Sequence, residues 1–293
     1  MNSKPHNKLS GFSLTEMLIA TGIMAIGLVM VATIFPVGVK LTSMSTERTI
    51  GAVVADEAFA KIQLYGLRDF QFWPSAQRAG GDPDATYEAC DDFLYTNLYD
   101  IGPDGQPTSG DEPATLIDDT GDFIYPSAEV PVGQQRNYHW SALCRRVGAK
   151  EVQVTVFVTR KIAAASQYRA WDAIADDIAA LSDWPKPVKV QIDSVVDPRT
   201  LEFSTTGPWN SQTREFFDEG CTIVDNYSGR IYRVLEVKDA DSDNLPDTLL
   251  LQQDWVDSGL LDETIWVVPP AVGSDRYPCV GVYQKTIYFE NIN

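Results

Sequence analysis

Hydrophobic and polar positions along this chain fall into three patterns, each with its own period. The first is an unbroken apolar run, Met17 to Val39, with no charged side chain in 23 residues. At about 1.5 Å per helical residue it reaches roughly 34 Å, enough to cross a bilayer core of about 30 Å. Pro36 and Gly38 near its end are expected to bend or loosen the helix, since proline removes an intrahelical hydrogen bond. The second pattern follows Lys40. Val54, Ala58, Ile62 and Tyr65 recur at spacings of four, four and three, one apolar stripe of an amphipathic helix, with Glu47, Arg48, Asp56 and Lys61 off the stripe. Gly66 is expected to end that helix. The third pattern has period two. Val152, Val154, Val156 and Val158 alternate with Gln153, Thr155, Phe157 and Thr159, so Glu151–Arg160 reads as a strand with a wholly valine face.

Around these anchors the rest of the chain can be placed. Tyr138 to Arg145 reads as the hairpin partner of that strand, with Val147–Lys150 as the turn. Residues 70–122 run through Gly, Pro and Asp clusters and read as turn-rich. Trp171, Ile174, Ile178 and Leu181 fall at i, i+3, i+7 and i+10, which predicts a helix over 163–181, stopped by Trp184-Pro185-Lys186-Pro187. Beyond it the candidate strands are Val188–Ile192, Thr200–Phe203, Cys221–Val224, Arg230–Val237, Thr248–Leu251, Thr264–Val268 and Val280–Glu290. Asn226-Tyr227-Ser228-Gly229 reads as a turn between two of them. The expected fold class is α+β: a long N-terminal helix (12–39 in the membrane, 40–66 as a stalk) on an antiparallel sheet head (67–187 with a helical insertion), then a β-rich part (188–293).

The junction before the apolar run changes the picture. Residues 1–11 are short and polar with Lys4 and Lys8, and Gly11-Phe12-Ser13-Leu14-Thr15-Glu16 leads into the run. An ordinary secretory signal has a shorter apolar segment with cleavage after it at small residues. The only nearby Ala-x-Ala, Ala58-Phe59-Ala60, lies well past the run in a charged helical stretch. Gly followed by an aromatic residue, with a glutamate four positions on, resembles the class III leader of type IV prepilins and type II secretion pseudopilins. Ala25-Ile26-Gly27-Leu28 is similar to the V-type minor pilins and I-type minor pseudopilins. The resemblance covers about the first 65 residues. It implies removal of residues 1–11 by a prepilin peptidase cutting after Gly11, N-methylation of Phe12, and a role for Glu16 as the carboxylate that pairs with the freed α-amine of a neighbouring subunit. Two opposite charges attract far more strongly in low dielectric than in water, so such a pair would set the register of stacked helices. The implied partners are the peptidase, other pilin or pseudopilin subunits and an inner-membrane assembly platform. The implied place is the inner membrane, with the C-terminal domain outside the cytoplasm, and a filament after assembly.

Composition agrees with export. The chain of 293 residues carries a formal charge of −18, and loss of Lys4 and Lys8 with the leader leaves 21 Lys+Arg against 41 Asp+Glu, a net −20. So acidic a surface argues against gripping nucleic acid. Four cysteines, Cys90, Cys144, Cys221 and Cys279, would lie on the oxidising side. Three pairings are open, and Cys90–Cys144 with Cys221–Cys279 is the expected one, since two fall in each half of the exported region.

Two further chemistries bear on the exported part of the chain. Asp239, Asp241, Asp243 and Asp247 alternate along one short loop and are candidate calcium ligands, resembling DxDxDxxxD loops. Leu250 stands where an EF-hand needs a bidentate Glu, so a complete EF-hand is ruled out. The cofactor expectation is therefore calcium or none. No zinc-protease, hydrolase-elbow, Walker or dinucleotide motif occurs, and His139, the one histidine outside the leader, sits between Tyr138 and Trp140 in a strand. The expected function is structural, not enzymatic. The competing expectation is a membrane-anchored binding protein or hydrolase that never enters a filament.

Overall fold

The computed structural model describes residues 13–65, 88–89, 123–126, 137–148, 151–172, 177–203, 215–239, 248–256, 264–274 and 276–288. The chain divides into two units, 1–49 and 50–293. One helix, α1 (Leu14–Tyr65), supplies the first unit's structure and the opening of the second.

Across Met17–Val39 α1 is apolar on every side, and its large side chains are exposed: Leu18, Ile23, Ile26, Val29, Ile34 and Phe35 among them. A helix that is apolar all round needs apolar surroundings, and this one is long and apolar enough to cross a membrane. Hydroxyls inside it are satisfied locally. Thr21 donates to the Met17 and Leu18 carbonyls, Thr33 to Met30 and Thr42 to Gly38, so no side-chain hydroxyl among these needs water. Pro36 sits within the helix, which continues through it to Tyr65. Gly66 lies outside the described residues.

In the second unit the end of α1 packs on a five-stranded antiparallel sheet. Its strands are β1 (Glu88–Ala89), β2 (Ile124–Tyr125), β3 (Tyr138–Gly148), β4 (Glu151–Arg160) and β14 (Cys279–Tyr288), in the order β1-β3-β4-β14 with β2 also on β3. The four valines of β4 face the helix, as the alternation required. They form one core with Val54, Ala55, Ala58, Phe59 and Ile62 of α1 and with Trp140, Ala142 and Ile287 of the sheet. The other face of β4 is covered too: Thr155, Phe157 and Thr159 are all buried.

What covers it is a second sheet. β7 (Val188–Gln191), β8 (Ser194–Asp197), β9 (Thr200–Glu202), β10 (Thr222–Asp225), β11 (Ile231–Lys238), β12 (Thr248–Leu251) and β13 (Thr264–Val267) pair in the order β7-β13-β10-β11-β12-β9-β8. The two strands at the ends of this order are chain neighbours, separated only by Ile192 and Asp193, so the sheet curls back toward itself. Its concave side is one core, with Val188 and Val190 from β7, Leu201 from β9, and Phe203, Phe216, Phe217, Tyr232 and Trp255 filling it. Its outer side meets the first sheet through Val224 and Val268 against Leu143 and Phe157, with Ile231, Trp266, Cys279 and Val282 around them.

Two sequence expectations change here. The helix over 163–181 is a hairpin instead: β5 (Tyr168–Asp172) pairs antiparallel with β6 (Asp177–Ser182), Ala170 opposite Ala180. The reason is tertiary. Tyr168 is fully buried, accepts a hydrogen bond from the Ile162 amide and bridges to Ala271 of the curled sheet's periphery, so β5 is held extended by a partner far away in sequence. The last strand, expected with the β-rich C-terminal part, returns instead to the first sheet, where β14 pairs with β4 from Tyr288 opposite Glu151 to Cys279 opposite Thr159.

Candidate N-terminal processing and assembly site

Glu16 is the single charged residue between Phe12 and Val39. The helix-start chemistry around it is local. Ser13 stands just before the first helical residue, and its hydroxyl oxygen accepts the Glu16 amide at 3.2 Å. In return the Glu16 carboxylate accepts the Ser13 amide through Oε2 at 2.9 Å. The Met17 amide closes the first turn on the Ser13 carbonyl at 3.2 Å. These two reciprocal bonds are a capping box, which satisfies amide donors that the helix itself leaves open. The carboxylate also lies at the positive end of the helix dipole. Glu16 is therefore held back over the start of its own helix, close to the chain position where cleavage would free an amine. Ser13 was not singled out from the sequence, although the Ser-x-x-Glu spacing that marks a capping box was there to be read. Gly11 and Phe12, the expected cleavage and methylation residues, lie outside the described residues.

The other candidate residues belong to the second unit. Of the acidic loop only Asp239 is described; Asp241, Asp243 and Asp247 lie outside. On either side of that segment, Lys238 of β11 pairs antiparallel with Thr248 of β12. Among the described residues no group of three or more His, Cys, Asp or Glu side chains is placed to hold a metal. Cys144 is disulfide-bonded, while Cys90, the residue after β1, lies outside the described residues. Cys221 and Cys279 are free thiols in this structure.

His139 is buried in β3, stacked between Phe123 at 6.1 Å and Trp184 at 5.5 Å. Burial, and secondarily the Lys186 charge, lower its pKa to about 3. A neutral imidazole packed between two rings is a core residue of this sheet.

The comparisons with known proteins bear on the same stretch. A family described as the prokaryotic N-terminal methylation motif matches residues 6–32. No curated protein and no solved structure matches the chain. The matched span contains Gly11, Phe12, the capping box and the apolar run as far as Ala32. With that match on an exposed, membrane-length helix, the chain carries the prepilin-type class III leader of type IV pilin-like proteins.

Proposed function

We propose that this protein is a structural subunit, a minor pilin or pseudopilin, of a type IV pilus or a type II secretion pseudopilus. The observation that carries the reading is the methylation motif over 6–32 running into a helix whose apolar side chains are exposed on every side. A prepilin peptidase cuts after Gly11, and Phe12 becomes the N-methylated first residue. The helix then rests in the inner membrane with the second unit outside the cytoplasm. An inner-membrane assembly platform draws it into a filament of like helices. There the α-amine of one subunit meets Glu16 of the next, replacing or joining the Ser13 amide that the carboxylate holds in the single chain. In this role the second unit is a folded head carried by the filament, and no catalytic step is assigned to it.

Two measurements test this. Mass spectrometry of the mature chain should find N-methyl-Phe12 at its start; an intact Met1, or a start beyond Val39, overturns the reading in favour of a plain membrane anchor. Glu16→Ala should be processed largely as the parent chain and yet be missing from sheared filaments. Unchanged incorporation of that variant removes the charge-pair mechanism.

A further inference from the structure

Cys221 and Cys279, the second pairing expected from the sequence, are two thiols that the structure leaves unbonded. They belong to different layers. Cys221 is the residue before β10 of the curled sheet, where its carbonyl accepts the Val234 amide. Cys279 opens β14 of the first sheet, opposite Thr159. Three contacts fix how β10 and β14 run beside each other. At one end Tyr277 packs against the core that contains Cys221. In the middle Val224 shares a cluster with Cys279 and Val282. At the other end Gln284 donates through Nε2 to the Gly229 carbonyl at 2.8 Å. As β14 advances from 277 to 284, its neighbours advance from the Cys221 end of β10 to the turn after it. The two segments therefore run in the same direction, with the two cysteines at the same end of the seam.

The geometry points to Cys221 and Cys279 as a cystine that staples the curled sheet to the helix-bearing sheet once the second unit has been exported. The chemistry is thiol–disulfide exchange with a disulfide oxidant, the CxxC type of an extracytoplasmic thiol oxidoreductase. One thiolate attacks the oxidant's disulfide and releases one of its sulfurs as a thiol. The second cysteine then displaces the other oxidant sulfur, so the new S–S bond forms as two electrons and two protons pass to the oxidant. Burial raises both thiols to about 12, and the neighbouring Cys221 adds to the rise at Cys279. Thiolate is scarce at such a pKa, so the bond closes while the seam is still open during folding, and the packed seam then shields it.

This inference rests on the export proposed above, and Cys144 provides the control that separates the two. The full chain is extracted from cell envelopes, denatured without reductant and treated with one maleimide, then reduced and treated with a heavier one before digestion. The expected result is no first label on Cys221 or Cys279, and a Cys221–Cys279 linked peptide in the unreduced digest. First label on both with Cys144 protected overturns the staple while leaving export intact. First label on all three overturns the staple together with export, and either cysteine linked elsewhere overturns it too. Cys221→Ser should leave Cys279 open to the first label and lower Tm by roughly 10 °C, as loss of a cross-link closing a long loop does. The parent-chain mapping stands whether or not that variant folds.

Discussion

A buried residue that cannot keep its charge ties stability to pH, and His139 does so here. Its pKa falls from 6.5 to about 3 because the imidazole is buried between Phe123 and Trp184, with Lys186 opposing a second positive charge. Below the unfolded value the unfolded chain binds a proton that the folded one refuses. Stability from this residue is therefore complete above about pH 6.5 and is lost as pH falls toward 3, by at most about 1.4 kcal/mol per pH unit. His139→Gln should flatten that part of a stability-against-pH curve measured by denaturant unfolding between pH 6.5 and 4. Equal slopes for parent and variant would show that the ring is not the group responsible. The sequence placed His139 in a strand; its burial between two rings comes from residues 16 and 45 positions away in the chain. At the N-terminus the reverse holds, since both capping-box bonds span three residues and the spacing was readable.

At the scale of elements, the seam between α1 and β14 is set by one aromatic ring between two glycines. A methyl group placed on Gly51 of α1 would lie 2.8 Å from the Tyr283 hydroxyl oxygen and 3.1 Å from Val280 Cγ1. The same ring lies close over Gly281, where an added Cβ would meet it at 3.0 to 3.2 Å. Gly51→Ala should therefore destabilise the protein by about 1 to 3 kcal/mol through overpacking, although alanine is the better helix former. Adding Tyr283→Phe, which removes the oxygen in the way, should restore part of the loss in thermal unfolding. No loss in Gly51→Ala would mean the helix and strand are not packed this closely. The stripe on α1 and the valine face of β4 were both visible as periodicities of one element. Their meeting at Gly51 depends on β14, more than 200 residues further along, and no local pattern announces it. The β5–β6 hairpin makes the same point by failure: the helical spacing of Trp171, Ile174, Ile178 and Leu181 gives way to a buried Tyr168 held by Ala271.

Across the whole second unit, one turn joins its two sheets. Asp225 is buried and accepts the Tyr227 amide at 2.9 Å and the Ser228 amide at 2.9 Å, and the Ser228 hydroxyl also donates to it; Gly229 closes the turn at φ 70°. That shape turns the backbone carbonyls outward. The Arg145 guanidinium of β3 donates to the Tyr227 carbonyl and, through Nη2, to the Ser228 carbonyl at 2.9 Å. Gln284 takes the next one, at Gly229. Arg145→Met should cost about 2 to 4 kcal/mol, because two carbonyls in a partly buried seam lose charged donors together. Arg145→Lys should recover only part of this in the same unfolding measurement, since one ammonium cannot reproduce the planar fork. Full recovery by lysine would show that charge alone, not the fork, joins the sheets.

By itself the sequence determined the leader junction, the membrane-length helix, the capping-box spacing, the valine strand with its hairpin and the 226–229 turn. All of these are short-range, set by a period or by residues a few positions apart, so the local chain has no alternative that buries the same surface. Only the tertiary structure decided that β14 returns to the first sheet, that a second sheet covers the other face of β4, that 168–182 is a hairpin, and that Arg145 and Gln284 meet one turn. Each of these joins residues tens to hundreds of positions apart. There the choice among pairings rests on which surfaces can be buried together, and no single segment carries that information.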